Sequence, residues 1–377
     1  MVRMKKLGRL IPKRASQIRH SRIGIGFEKL DRGVFDPEKA YELVAQAGVK
    51  WARLQSGWQR TEKQRGVYDF SWLDPIVDRF LSMKIEPWIC LCYGNELYTE
   101  AAKKHYGAVG CPPIHSKEEK QAWARYVHAT VTHFKGRVRF WEVWNEPDGE
   151  WCWKHGPDPL ELAELTRITA RACKKADPDC EVLGPALCYG KNEYSETLKK
   201  TDILEHLDGI TYHAYCVAEG DWSDRFQYYK AWVEEKGLDL KIIQGESGTQ
   251  SRYGFAGALR RANWTELKQA KFLLRHLITD LKNGCYFTSY FSCMDMVEAL
   301  NGINGDKASR LDYGYFGVIG ADFDENGYSV GSYTPKPSYY ALQNLCSVLC
   351  DDYEAVPAFA RGQRNANTSK NDSEGAI

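Results

Sequence analysis

Two glutamates in this sequence stand where a short, largely apolar run ends. Glu146 follows Phe140-Trp-Glu-Val-Trp-Asn and precedes a proline, which cannot continue a parallel strand. Glu246 follows Lys241-Ile-Ile-Gln-Gly, and a second glycine comes soon after it. Two carboxyl groups brought together from such positions are able to cleave a glycosidic bond. One protonates the leaving oxygen while the other attacks the anomeric carbon.

Each glutamate taken alone also has a structural interpretation. Glu146 can cap the loop that follows it, and Glu246 can pair with a neighbouring arginine. The catalytic interpretation gains its strength from the pair, since both carboxylates stand at matching ends of apolar runs that are 100 residues apart.

Short β-rich runs alternate with longer runs of helical period along the chain. The predicted strands are 23–27, 51–55, 86–92, 137–144, 181–185, 209–213, 241–244 and 286–291. The predicted helices are 37–46, 72–83, 117–134, 160–175, 196–207, 226–235, 266–283 and 337–349. Eight alternating pairs predict a single (β/α)8 TIM barrel of the α/β class. A dinucleotide-binding fold is disfavoured because no Gly-x-Gly-x-x-Gly opens a helix after the first strand.

In a barrel of this kind the carboxyl ends of the strands form the mouth of the active site. The glutamates close the fourth and seventh predicted strands, so we expect their side chains to converge across one pocket. A separation of about 5–5.5 Å between the carboxyl groups would suit a double displacement with retention of configuration.

The motif Trp144-Asn-Glu-Pro147, together with the glutamate of the seventh strand, resembles clan A of the retaining glycoside hydrolases. The segments 66–74 and 334–342 are also similar to clan segments after strand two and before the last helix. Within the clan, residues 141–185 look most like family 39, the β-xylosidase and iduronidase group, including the turn Ala176-Asp-Pro178. The resemblance covers roughly residues 23–350.

The resemblance implies roles for the residues that match the clan motif. Glu146 matches the general acid/base, Glu246 the nucleophile, and Asn145 the residue that binds the sugar 2-hydroxyl. A cation near Glu246 favours its ionised form, whereas a drier setting keeps Glu146 protonated.

Three further residues match positions around the nucleophile. His213 and Tyr215 match the pair on strand six, whose tyrosine hydrogen-bonds the nucleophile, and Arg53 matches the arginine beneath it. The structural alternatives are an ion pair inside the barrel for Arg53 and a satisfied core histidine for His213.

Aromatic and polar residues near the predicted mouth are candidates for binding sugar, although wall packing explains the rings equally well. The candidate rings are Trp58, Trp151, Trp153, Tyr290 and Phe291. Glu28 follows the first strand, where it either binds a hydroxyl or is simply a loop charge.

The chain departs from the family pattern in three respects. Gln55 stands where family 39 commonly has a histidine, and Tyr290 and Phe291 stand near the usual tryptophan of strand eight. Little or no accessory β-domain is expected after the last helix. These departures leave the chemistry intact and leave the identity of the sugar open.

Composition excludes several other classes. The 377 residues carry a formal net charge of +1, which argues against nucleic acid as a partner, and no apolar run is long enough to cross a membrane. The 12 cysteines are scattered, as expected for buried reduced thiols of a cytoplasmic protein without a secretory signal. No metal-binding or phosphate-binding motif occurs, so neither a metal nor a cofactor is predicted.

We therefore expect a basic, solvated tail over residues 1–21, a catalytic barrel over 22–352, and a polar, disordered tail over 353–377. The predicted activity is retaining hydrolysis of β-linked glycosides, exo-acting and β-xylosidase-like on plant-derived oligosaccharides. The 44-residue segment from Cys293 to Lys336 is expected to close one end of the cleft. The alternatives are an endo-acting β-glucanase and a sugar-binding barrel without turnover. The oligomeric state stays open.

Overall fold

The computed structural model describes residues 8–353 and contains a closed barrel of eight parallel strands in sequential order. The strands are β1 Ile23–Gly26, β2 Trp51–Gln55, β3 Glu86–Leu91, β4 Phe140–Val143, β5 Glu181–Leu187, β6 Gly209–His213, β7 Lys241–Ser247 and β8 Thr288–Tyr290. Strand β1 pairs with β8 and closes the cylinder. The predicted (β/α)8 barrel is confirmed.

Helices surround the barrel and connect successive strands. They are α1 Pro37–Ala47, α2 Trp58–Thr61, α3 Asp74–Ser82, α4 Lys117–His133, α5 Pro159–Ala176, α6 Glu193–Leu198, α7 Glu219–Glu235, α8 Glu266–Asn283 and α9 Pro337–Val348. Several begin with a side-chain cap, such as Asp36 on α1 and Thr265 on α8. These caps accept hydrogen bonds from N–H groups that have no partner inside the helix.

The connection after β5 differs from the single helix predicted over 196–207. It holds the short helix α6 and a separate 3-10 turn, Ile203–His206. Asn192 caps the earlier start of α6 by accepting from Ser195 N. Thr201 ends the helical path because its hydroxyl donates to the carbonyl of Leu198 and accepts from Ile203 N.

The interior of the barrel is apolar in its lower part. Trp88, Phe140, Leu183, Ile243 and Phe287 form a buried cluster contributed by strands β3, β4, β5 and β7 and by the residue before β8. A larger apolar layer lies between the strands and the helices. Packing inside the barrel therefore closes its lower end and leaves the carboxyl ends of the strands as the place for polar groups.

The segment between β8 and α9, predicted as a loop, contains secondary structure of its own. Strands β9 Met296–Val297 and β10 Tyr313–Gly314 form one two-stranded antiparallel sheet. Strands β11 Ile319–Phe323 and β12 Ser329–Pro335 form another. Within the described residues these small sheets are the main addition to the barrel.

The described part of the predicted N-terminal tail is mostly exposed, but it is anchored at a few positions. Ala15 and Ile18 are fully buried against the barrel, and Lys13 N donates to Ser347 Oγ at 2.8 Å. Apolar burial therefore holds this segment beside the last helix. Residues 1–7, and all of the predicted C-terminal tail after Tyr353, lie outside the described residues. Between residues 8 and 353, no helix combines the length and the apolar character needed to cross a membrane.

Candidate active site

Glu146 projects from a sharp turn at the end of β4. Trp144 and Glu146 both have a left-handed backbone, with φ of 60° and 45°. Non-glycine residues hold such conformations at a cost of about 1–3 kcal/mol each, and they persist where the surroundings fix them. Here Glu146 N donates to Ala186 O at the end of β5. The turn thereby aims a carboxyl group, 7% exposed, at the mouth of the barrel.

Glu246 faces it from β7, in register with His213 on β6. One carboxylate oxygen of each glutamate and one ring nitrogen of His213 all lie within 4.8 Å of one another. An inverting glycosidase needs carboxyl groups about 6.5–9.5 Å apart to admit a water molecule, whereas double displacement needs about 5–5.5 Å. The observed approach fits the shorter spacing.

Arg53 on β2 links Glu246 to other buried polar side chains at the upper end of the barrel. Its Nη1 donates to Glu246 at 2.7 Å and to Glu28 at 3.1 Å. Its Nε and Nη2 donate to Glu142 at 2.8 and 2.5 Å, and Nη2 also donates to Asn145 at 2.8 Å. The fully buried guanidinium thus uses all five of its N–H groups.

One arginine cannot neutralise three buried carboxylates. Burial raises the pKa of Glu246 to about 7, and the charges of Glu28 and Glu146 add to this, while His213 and Arg53 oppose it. The sequence-based expectation that the neighbouring cation keeps Glu246 ionised is therefore reversed. The main reason is burial, which outweighs the opposing charges of His213 and Arg53.

Glu146 shows the opposite behaviour. Burial favours its neutral form, but the hydrogen bond and charge of His213 outweigh burial and lower the pKa of Glu146. His213 Nδ1 lies 2.9 Å from Glu146 Oε1, and the indole N–H of Trp151 donates to Glu146 Oε2. The two glutamates raise the pKa of His213 against the effect of burial. The two carboxyl groups therefore favour the protonated form of the imidazole.

Tyr215, the tyrosine predicted to lie beside Glu246, is in hydrogen-bonding contact with it. Tyr215 OH donates to Glu246 Oε1. The oxygens of Glu246 are thus oriented from two sides, by Tyr215 and by Arg53.

A cavity of about 1020 Å³ opens above the two glutamates. Six of its lining residues are Glu146, Trp151, Tyr215, Glu246, Phe291 and Phe316. Others come from the segment between β7 and α8 and from the β8–α9 segment, including Tyr253, Phe255, Glu298 and Asn301. The volume and the mixture of rings and polar groups suit a small oligosaccharide.

Two of the predicted sugar platforms are wrong. Trp153 is fully buried and donates to Glu161 Oε2, and Tyr290 is fully buried with its hydroxyl against Thr249. Adjacent strand residues point to opposite faces, so Phe291 rather than Tyr290 borders the cavity.

Trp58 belongs to the packing of the barrel wall. It is fully buried, stacks on Tyr98 and Tyr126, and donates its indole N–H to Glu62. It does not form part of the cavity lining.

Glu28 and Gln55 lie below the cavity surface. Glu28 is 2% exposed and accepts from Arg53, while the amide oxygen of Gln55 accepts from Arg32 Nη2 at 2.9 Å and from Lys29 N at 3.2 Å. Glu28 Oε1 and the amide oxygen of Gln55 are therefore both occupied by protein donors.

Glu142 was not predicted as a site residue from the sequence, although its position indicated that it needs a buried partner. Glu142 lies in the interior of β4, where a charged residue in an otherwise apolar barrel strand needs a buried partner. That partner is Arg53. The aromatic residues Tyr253 and Phe255 were also missed, because they lie in a loop whose direction the sequence does not indicate.

A (β/α)8 barrel with paired carboxylates at the ends of β4 and β7 defines the class as a clan A glycoside hydrolase. The model of glycosyl hydrolases family 39 matches residues 37–244. The chain therefore belongs to family 39, as the resemblance of its motifs predicted.

The individual proteins that match this chain do so over part of its length or at low sequence identity. A β-xylosidase from Geobacillus stearothermophilus is 32% identical over 184 residues, which cover 44% of this chain and 34% of the relative. A family 39 glycoside hydrolase structure from Bacteroides cellulosilyticus WH2 matches with a TM-score of 0.65 and 18% identity, over 88% of this chain and 64% of that one. A β-xylosidase structure from Caulobacter crescentus matches with a TM-score of 0.62 and 22% identity, over 90% and 73%.

The structural matches establish the fold, and the match to the family model establishes the family. The chain spans about a third of the Geobacillus β-xylosidase, as the 34% coverage gives.

Proposed function

We propose that the protein hydrolyses β-linked glycosides with retention, with Glu246 as nucleophile and Glu146 as general acid/base. The observation that carries this proposal is the approach of the two carboxylates, from β4 and β7, to within 4.8 Å at the floor of one cavity.

The first step requires a proton on Glu146 and a negative charge on Glu246. The pKa of Glu246 is raised and that of Glu146 is lowered, so the reactive form is the one in which Glu146 rather than Glu246 holds the proton. His213 Nδ1 lies 2.9 Å from Glu146 Oε1, within hydrogen-bond distance, and 3.7 Å from Glu246 Oε2, beyond it.

Glu146 then protonates the glycosidic oxygen while Glu246 attacks the anomeric carbon. The carbon–oxygen bond to the leaving group breaks, and a glycosyl ester of Glu246 forms. In the second step ionised Glu146 removes a proton from water, and the oxygen of that water displaces Glu246 from the anomeric carbon. Two inversions at the same carbon give net retention.

Exo action is supported by a wall across one end of the cavity. Lys154, in the loop after β4, donates through Nζ to Leu300 O and to Asn301 Oδ1, both at 2.8 Å. Tyr106 N, after β3, donates to Gly302 O at 2.9 Å. The β8–α9 segment thus crosses the mouth to the loops after β3 and β4. A closed end of this kind admits a chain terminus rather than the middle of a polymer.

We propose β-xylosides and short xylo-oligosaccharides as the substrates, since the Geobacillus relative is a β-xylosidase. A panel of aryl β-glycosides (xyloside, glucoside, galactoside, arabinoside and mannoside) tests this choice. The highest kcat/KM is expected for the xyloside. A clear preference for another sugar would contradict the substrate but not the chemistry.

The catalytic roles are tested by replacing each glutamate. We expect Glu246→Ala to lose activity by at least about 10⁴-fold, as for other removed nucleophiles, and azide to restore turnover with an azido sugar of inverted configuration. Azide rescue of Glu146→Ala should give the retained configuration. Equal slow turnover by the wild type and Glu246→Ala on every substrate would favour a sugar-binding barrel.

The wall is tested by the length of the products. Wild-type protein should release single terminal sugars from xylo-oligosaccharides, whereas Lys154→Ala should release longer products in addition. Lys104→Ala, which removes a nearby exposed lysine, serves as the matched control. Internal cleavage of long xylan or glucan by the wild type would instead indicate an endo-acting enzyme.

A further inference from the structure

Three side chains able to bind a metal meet outside the proposed catalytic site. They are His115 in the loop before α4, His155 in the loop between β4 and α5, and Glu161 in the first turn of α5. One ligand atom of each lies within 4.8 Å of the other two. Both histidines are exposed, so a cation is able to reach them from solvent.

The backbone at two of these residues is fixed by helix capping. Ser116 caps α4, and the Glu119 carboxylate accepts from His115 N at 2.9 Å. Asp158 caps α5 and accepts from Glu161 N at 3.2 Å. The positions of His115 and Glu161 are therefore set by the starts of two packed helices rather than by free loops.

Glu161 is also oriented by a buried group. The indole N–H of Trp153, which is fully buried, lies 3.1 Å from Glu161 Oε2 and 3.1 Å from His155 Nε2. Glu161 Oε2 in turn lies 2.6 Å from His155 Nε2. A hydrogen-bonded partner that holds a carboxylate ligand in place is typical of protein metal sites.

The structure assigns a surface site for one divalent zinc ion to His115, His155 and Glu161, and we propose it as a feature separate from catalysis. Two imidazole nitrogens and one carboxylate oxygen leave the fourth tetrahedral position for water. Ligand atoms bound at about 2.0–2.1 Å from zinc lie about 3.3 Å apart. Exposed histidine rings reach that spacing by side-chain rotation.

The catalytic residues Glu146, His213 and Glu246 also lie within 4.8 Å of one another, but their surroundings differ. The cation Arg53 and the donor Tyr215 already occupy the oxygens of Glu246. A divalent ion there would have to displace a buried arginine. Around His115, His155 and Glu161 the contacts include no such cation among the described residues.

Zinc at this site would join the start of α4 to the loop between β4 and α5. That loop carries Trp151, whose indole donates to Glu146. We therefore expect bound zinc to raise the melting temperature.

The site is tested by titrating zinc into untagged full-length protein after treatment with a chelator, using calorimetry. One equivalent should bind, and His155→Ala and Glu161→Gln should each weaken binding by about 10- to 100-fold or more. His206→Ala is the matched control, because His206 contacts the carboxylate of Asp202 in a similar way without a second histidine nearby. It should bind zinc as the wild type does.

The free thiols of the protein offer zinc a second possibility, which a structural measurement separates. Anomalous scattering at the zinc edge, from crystals grown with zinc, should place the ion between His115, His155 and Glu161. A peak only at a cysteine, unchanged affinity in both ligand variants, or no binding by the wild type would each overturn the proposal. Each result is independent of glycoside hydrolysis.

Discussion

The two ends of the barrel hold buried carboxylates in opposite electrostatic settings. At the lower end, Glu181 begins β5 and lies 2.5 Å from Arg139 Nη2 and 2.6 Å from Lys241 Nζ. Two cations thus serve one carboxylate, and both cations keep contact with solvent. Such an arrangement stabilises the fold at modest cost.

At the upper end one cation serves three carboxylates. Arg53 is the shared cation for Glu28, Glu142 and Glu246, and all four side chains are buried. Burial raises the pKa of Glu246, and the charges of Glu28 and Glu146 add to this effect.

The difference shows how a barrel separates stability from reactivity. Ion pairs at the lower end are matched and solvated, so they favour the folded state. At the upper end burial disfavours the ionised form of Glu246, the residue proposed as the nucleophile. This agrees with the general division of TIM barrels into a stabilising lower face and a catalytic upper face.

Replacing an arginine by lysine at each end of the barrel should give the largest difference in activity between the two ends. Arg53→Lys keeps the charge but is unable to donate five hydrogen bonds in one plane, so Glu142, Asn145 and Glu246 lose their fixed positions. We expect kcat/KM for an aryl β-xyloside to fall by about 10²–10³-fold, because several buried acceptors are left unpaired.

Arg139→Lys is the matched control at the lower end. Arg139 is largely exposed and forms a simple ion pair, so kcat/KM should stay within about twofold of the wild type. A loss of less than threefold in Arg53→Lys would mean that the geometry of the guanidinium is not needed for catalysis.

Neutralising one carboxylate at each end should move stability in opposite directions. The pKa of Glu246 is raised from 4.5 to about 7, so its protonated form favours folding. This stabilisation is complete below pH 4.5 and is lost as the pH rises to about 7. At pH 8 we expect Glu246→Gln to have a free energy of unfolding higher than the wild type by ~2 kcal/mol, as measured by chemical denaturation.

At pH 5 the same variant should match the wild type, because Glu246 is then already protonated. Glu181→Gln should instead lower the free energy of unfolding at pH 8 by about 1 kcal/mol, since two favourable ion pairs are lost. Equal destabilisation by both variants at pH 8 would contradict the charge excess at the upper end.

Much of this architecture was predictable because it depends on local patterns. Strand ends are marked by Pro147 and by the glycines around Glu246, and the barrel places all such ends on one face. Those facts predicted the meeting of Glu146 and Glu246, whereas the place of Arg53 beside them was implied by the resemblance to the clan.

The order of the pKa values was not predictable in the same way. It depends first on how deeply each carboxyl group is buried and then on the charges around it. One of the carboxylates that bind Arg53, Glu142, reaches it from β4, two strands away in the barrel. The choice between Tyr290 and Phe291 depended on which face of β8 each residue takes, and a shift of one residue reverses it. The wall across one end of the cavity depends on contacts between loops, such as Lys154 with Leu300. Loop contacts of this kind leave no repeating pattern in the sequence from which to predict them.

The smallest expected effect concerns the hydrogen bond from Trp151 to Glu146. This bond favours the ionised carboxylate and contributes to the lowered pKa of Glu146, so Trp151→Phe should raise that pKa. The kcat/KM profile reports the free protein, in which Glu146 has the lower of the two pKa values, so its acid limb should move to higher pH. The kcat should fall by about three- to tenfold, the worth of one such hydrogen bond. Trp153→Phe, assayed without metal, is the control, because this indole donates to Glu161 instead. An acid limb that moves equally in both variants would show that the loop as a whole, rather than one N–H group, sets the protonation of Glu146.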